Sequence, residues 1–161
     1  MILTPAFIIL ISLIFILVWL FARSIDKRKW VVLLITIAAT PVVYFYIFYP
    51  FVNIFTSFHH KKYFNADAWE AKPALRYEMS ENIIHSNLLD GKSKTDVEYL
   101  LGKSNWYSWD DSLKMNSPDK WNYNLGMKPG AFNRNKECLE IEFKNNLVKR
   151  VTQYQFEETF E

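Results

Sequence analysis

The chain has 161 residues, enough for about one domain; half of them are apolar, and 19 Lys and Arg stand against 17 Asp and Glu for a net charge of +2. A single cysteine, Cys138, excludes an intramolecular disulfide, and four glycines scattered along the chain leave no Gly-rich phosphate loop. From His60 onward 15 Lys and Arg face 16 Asp and Glu, a net of −1, so the basic face expected of a nucleic-acid binder is missing.

The apolar residues are concentrated at the start. Residues 6–22, AFIILISLIFILVWLFA, hold no charge and one hydroxyl, Ser12, and residues 30–58 are again free of charge. A bilayer core takes roughly 20 apolar residues as helix, with about 17 at the short end. Both runs therefore predict membrane spans, through residues 6–22 and 30–52. The first run lacks the basic start and small-residue cleavage site of a signal peptide and is expected to be retained. Between the runs, RSIDKRK sets Arg23, Lys27, Arg28 and Lys29 against Asp26. Short basic loops stay on the cytoplasmic side, which predicts a cytoplasmic loop at 23–29, both termini outside, and a bacterial inner-membrane location. Trp19, Trp30, Tyr44, Tyr46 and Tyr49 suit the headgroup level. Pro41 and Pro50 predict a kink and a helix exit. Neither span carries an ionisable side chain, so no ion path or proton relay is indicated.

Residues 59–75 read as a membrane-proximal linker and 76–161 as a folded domain. Met79, Ile83, Ile84 and Leu88 predict an amphipathic helix with Ser80 as its N-cap. A turn follows at Asp90–Gly91. Ser93 and Asp96 form an acidic capping box for a second helix with Val97, Leu100 and Leu101 as its apolar stripe, stopped by Gly102. The period then changes to two. KWNYNLG, 120–126, predicts one strand ended by Gly126. In ECLEIEF, Leu139, Ile141 and Phe143 alternate with Glu140 and Glu142, a half-buried strand. Asn145 and Asn146 tolerate positive φ and make a hairpin turn into LVKRVTQYQF. The expectation is α+β: two transmembrane helices, then two helices and a three-stranded antiparallel sheet.

Candidate chemistry is sparse. His59, His60 and His85 lack the close spacing on rigid elements that a zinc site wants, so no metal and no cofactor is expected. Asp110 and Asp111 read as a solvated loop, and Glu140 and Glu142 as the wet face of a strand, although paired carboxylates are able to raise a pKa. Cys138 has no histidine near it in sequence. No catalytic residue is assigned. The remaining feature is the aromatic run Trp106, Tyr107 and Trp109, placed on a loop and taken as a protein-binding anchor because Trp and Tyr are favoured at interfaces.

Arg76-Tyr-Glu-Met, LLDGKSKTDVEYLLGKSN at 88–105, WNYNLG at 121–126 and LEIEFKNNLVKRV at 139–151 together resemble the SmpA/OmlA (BamE-like) domain. The matching positions are Leu89, Gly91, Ser93, Val97, Leu100 and Gly102 in the helical joint, Trp121, Tyr123 and Gly126 in the first strand, and Leu139, Ile141, Phe143 and Val151 beyond it, within Arg76 to Tyr154. The resemblance implies a non-enzymatic fold of two helices and three antiparallel strands, best known as a lipoprotein accessory of β-barrel assembly, and in tandem form as a secreted β-lactamase inhibitor. This chain has no cysteine in a lipidation position, and Ser104 stands near where the family has proline. The expected function is a membrane-anchored domain that binds another envelope protein. Two alternatives remain open: a small-ligand sensor or subunit of a membrane enzyme complex, and an anchor that self-associates through Ala38, Ala39 and Thr40.

Overall fold

The computed structural model describes residues 2–157, and the chain divides into two compact units, one of Ile2–Phe58 with Gly130–Phe132, the other of the rest from His59 onward.

In the first unit, α1 spans Pro5–Ile25. Pro5 opens it where a missing N–H costs nothing, and the Thr4 hydroxyl accepts from the Phe7 N–H at 3.3 Å. At 1.5 Å per residue its 21 residues reach about 31 Å, against about 30 Å for a bilayer core. The second helical rod runs Lys29–Phe55 in three pieces: α2, Lys29–Val43, a π-turn at Tyr44–Phe48, and α3, Tyr49–Phe55. Two prolines account for the break. Pro41 and Pro50 each lack an N–H and crowd the carbonyl four residues back, and the wider turn between them absorbs the mismatch. Both rods are long and apolar enough to cross a membrane.

α1 and α2 pack on each other, burying Ile14, Ala22, Val32, Thr36, Thr40 and Tyr44. The threonine hydroxyls bond within their own helix, Thr36 to the Val32 carbonyl at 2.8 Å and Thr40 to the Thr36 carbonyl at 2.7 Å. They bring small side chains to a close interface without exposing a polar group.

The second unit begins earlier than expected. Residues 59–75, read from sequence as a linker, contain α4, Ala66–Ala71, and a 3₁₀ turn at Pro73–Leu75. Trp69 of α4 is fully buried and donates its indole N–H to the Leu101 carbonyl at 3.0 Å. Lys62 pairs with Glu78 at 2.6 Å and Phe64 N–H donates to the Asn82 side chain at 2.8 Å, so the stretch is pinned to the helix that follows it. The reason is composition: with Tyr63, Phe64 and Trp69 and no Gly or Ser, it has apolar surface to bury.

α5 is Tyr77–His85. Ser80 is not its N-cap. It lies one turn inside, buried, with its hydroxyl bonded back to the Tyr77 carbonyl at 3.0 Å, because packing of Tyr77 and Met79 starts the helix upstream. α6, Lys94–Leu101, carries the expected capping box: the Ser93 hydroxyl accepts from Asp96 N–H while the Asp96 carboxylate accepts from Ser93 N–H. Gly91 and Gly102 have φ of 67° and 78°. The last carbonyls of α6, left without helical partners, are taken by Trp69 N–H at Leu101 and by the Tyr123 hydroxyl at Gly102, 2.9 Å away.

Four strands follow, one more than expected: β1, Trp106–Asp110, β2, Met115–Met127, β3, Asn135–Lys144, and β4, Leu147–Glu157, antiparallel in the order β1-β2-β3-β4. β1 was hidden because its aromatic residues do not alternate with polar ones. Trp121, Tyr123, Leu125, Leu139, Ile141 and Phe143 face α4–α6 in one core with Trp69, Met79, Ile83, Leu89, Val97 and Leu101. Gly126 does not end its strand. At φ 88° it sits at a register shift, and a Cβ there would lie 2.2 Å from the Ala74 carbonyl oxygen. Asn145 and Asn146, at φ 52° and 66°, make the predicted turn.

Candidate protein-binding surface

The aromatic trio sits on β1, at an edge of the sheet, and alternation splits it. Trp106 pairs with Asn122 and Tyr107 with Trp121, so the two rings emerge on opposite faces. A shift in register follows before Trp109, which pairs with Asn116. Tyr107 is 46% exposed and Trp109 57%. Trp106 is half-buried and meets the Phe156 ring edge-on at 6.5 Å. The structure therefore does not gather the three into one patch.

Trp109 belongs instead with the turn that follows it. Leu113, 56% exposed, lies in that turn, and Met115, 54% exposed, opens β2 beyond it, paired with Asp110 and so on the other face from Trp109. The turn is ordered by Asp110. Its carboxylate accepts from the Ser112 hydroxyl, from Ser112 N–H at 3.0 Å and from Leu113 N–H at 3.3 Å, and pairs with Lys120 at 3.0 Å. These contacts, Ser112 first and Lys120 next, hold the Asp110 carboxyl well below the usual carboxylate range. Asp110 is thus ionised at neutral pH and a poor match for acid–base chemistry there. Trp109 donates its indole N–H to Asp111 at 3.1 Å, which fixes the ring beside the turn.

The outer face of the sheet, away from the helices, holds a polar seam that sequence reasoning took for wet surface. Asn122 is fully buried there. Its amide donates to the Ser108 hydroxyl at 2.7 Å and its carbonyl oxygen accepts from Tyr154 at 2.9 Å, while Ser108 donates to Glu140. The seam ties all four strands together. A serine on a carboxylate is half of a nucleophile pair, but Ser108 has both its proton and an acceptor site engaged within the sheet. Burial pushes the neighbouring Cys138 thiol up to about 11 and the Tyr154 phenol up to about 12, so both are protonated at neutral pH and Cys138 is inert as a nucleophile. Glu142 is held below its ordinary value, chiefly by Lys149. The two outer glutamates have separate bonding partners, Glu140 with Ser108 and Glu142 with Lys149. The covering of this seam by Trp106, Tyr154 and Phe156 depends on strand register, and no local pattern announces it.

A second polar cluster was also missed. Glu137, nearly fully buried on the helix-facing side, receives Gln153, Gln155 and Lys128, the last at 2.9 Å. Burial pushes its carboxyl up, but Gln153, Lys128 and Gln155 outweigh that and hold it below its ordinary value. The three donors complete an ion pair that would be costly if left open.

One cleft in this unit, lined by Trp69, Arg76, Tyr99, Gly102, Lys103 and Asn105 among others, has a volume of ≈ 240 Å³, below the range of about 300–1,000 Å³ usual for small-ligand sites. Arg76 there stacks on Trp69 at 4.8 Å and donates to the Trp69 carbonyl at 2.8 Å, so its guanidinium is committed to the fold. Among the described residues no group of three or more His, Cys, Asp or Glu is placed to hold a metal ion. Compared with family models, with curated proteins and with solved structures, the chain matches none of them.

Proposed function

We propose that the chain is a non-enzymatic protein of the bacterial inner membrane, whose unit from His59 onward, similar to the SmpA/OmlA (BamE-like) domain, binds another envelope protein outside the cytoplasm. The observation that supports this reading most is the β1–β2 hairpin end: Trp109 on one face, Met115 on the other and Leu113 at the tip are all exposed around a turn that Asp110 orders. A turn whose backbone is already held loses less entropy on docking, which is what an interface anchor needs. The adjoining edge of β1 offers free backbone donors and acceptors to an extended partner segment. Scaffold proteins of this kind work by position, and the paired apolar rods supply the anchor.

The test is photocrosslinking in cells with the reactive side chain placed at Trp109, at Leu113 and, as a comparison, at the exposed Tyr99 of α6. A discrete adduct from the first two positions and none from Tyr99 supports the reading. The same adducts from all three, or none from any, sinks it.

A further inference from the structure

At the loop end of the first unit, where α1 finishes and α2 begins, a cleft of ≈ 430 Å³ is lined by Trp19, Arg23, Lys27, Lys29, Val32 and Leu33. Three cations converge on it from both helices and the loop. The one acidic residue within reach in sequence, Asp26, is spent elsewhere: its carboxylate takes Arg28 through Nε at 3.1 Å, Nη2 at 2.7 Å and the backbone N–H at 2.8 Å. Arg28 accordingly holds that carboxyl down at about 2. No ion pair to Arg23, Lys27 or Lys29 occurs among the described residues. Arg23 instead lies over the Trp19 ring at 5.3 Å, and α2 starts without a side-chain N-cap, so its first N–H groups add positive potential at the same place.

The lining is chemically divided. Cations form the rim, while Trp19, Val32 and Leu33 are apolar and belong to the two spanning rods. A free inorganic anion would use the rim alone, whereas a phospholipid uses rim and floor together. Basic clefts between transmembrane helices at the positively charged interface are suited to anionic headgroups.

We propose that this cleft seats one anionic phospholipid, its phosphate among Arg23, Lys27 and Lys29 and the start of an acyl chain against Trp19 and Leu33. The proposal rests on the hairpin being embedded in a bilayer and is independent of what the other unit binds. The seat sets the depth of the hairpin, because the rim lies at the ends of both rods.

The experiment is native mass spectrometry of the full chain released from mixed phosphatidylcholine and phosphatidylglycerol bilayers. Wild type is compared with Arg23→Gln/Lys27→Gln/Lys29→Gln and with a control of equal charge loss, Lys72→Gln/Lys103→Gln/Lys144→Gln. Wild type and control should retain one phosphatidylglycerol per chain. The cleft variant should show that preference weakened by at least about tenfold, a cautious reading of about fivefold for each interfacial cation, and the single Arg23→Gln and Lys27→Gln variants should fall between. Equal retention by the cleft variant, or equal loss in the control, overturns the proposal. So does displacement of the lipid by inorganic phosphate at comparable concentration, since the site would then read the anion alone. Carbonate extraction of the same bilayers separates the two readings: a chain that washes off in every form refutes the anchor itself, and a chain that stays embedded leaves the lipid ratios to decide the seat.

Discussion

The two units obey opposite rules of burial. In the unit from His59 onward the buried side chains are those the hydrophobic effect selects, Leu139, Ile141, Phe143, Ile83 and Val97 among them. In the hairpin, Leu17, Phe21, Leu34 and Ile37 face outward, while Thr36, Thr40, Ala22 and Asn53 are among the residues inside. Both rods are long and apolar enough to cross a membrane; lipid tails are as apolar as leucine, so in a bilayer burying a leucine against another helix would gain little, and small side chains that allow close approach would be preferred. Polarity pattern therefore identifies the core only where the surrounding solvent is water.

Several measurements break or sharpen this contrast. The largest effect should come from Trp69→Ala, which removes a fully buried ring together with its bond to the Leu101 carbonyl; urea unfolding of the full chain in detergent should show a loss of about 3–5 kcal/mol in the second unit. A wild-type midpoint would mean that residues 59–75 are a linker after all. Gly126→Ala comes next. The φ of 88° alone costs about 1–3 kcal/mol, and the approach of Ala74 forces a backbone shift besides, so a reduced thermal midpoint and fast proteolysis near Ala74 are expected.

The contrast itself is measured by a reciprocal pair. Ile141→Thr places an extra hydroxyl in the water-driven core and should cost about 2 kcal/mol. Thr36→Val removes a hydroxyl that only bonds its own helix, and should change hairpin stability in bilayers by about 0.6 kcal/mol or less. Comparable losses in the two variants would contradict the inverted rule.

The smallest effect is in pH. The Asp96 carboxyl is lowered by the Ser93 hydroxyl and then the Ser93 N–H, and Asp110 is lowered in the same sense. A carboxyl whose folded pKa lies below its unfolded value of about 3.9 contributes stability that is complete above that value and is lost as pH falls through the folded pKa. The second unit should lose stability below about pH 4, and Asp96→Asn should flatten that acid limb without altering the midpoint trend at neutral pH. The spans hold no Asp, Glu, Lys, Arg or His between Pro5 and Ala22 or between Trp30 and Phe55, so hairpin helicity in bilayers should not respond over the same range.

Much of the architecture was legible because it rests on local chemistry. Eighteen or more uncharged apolar residues have few stable fates, Ser93 with Asp96 caps whatever helix follows, and Asn145–Asn146 turns whatever strands flank it. Gly91 and Gly102 adopt the positive φ that glycine makes cheap. Those features need no partner from elsewhere in the chain.

The misread features all need one. Trp69 joins the core because α6 and β2 come to it, Ser80 is interior because Tyr77 and Met79 find a sheet to pack on, and β1 exists because β2 extends back to Met115 to pair with it. Asn122, Glu140 and Tyr154 lie far apart in sequence and meet only through strand register, which separates Trp106 from Tyr107 and leaves Trp109 to join the hairpin turn. Sequence alone determined where the long apolar rods, caps and turns fall, since each is settled within a few residues by backbone geometry or solvent. Tertiary structure decided which polar groups are sheltered and which aromatic rings remain available, since both depend on contacts between distant segments that hydrophobic burial brings together.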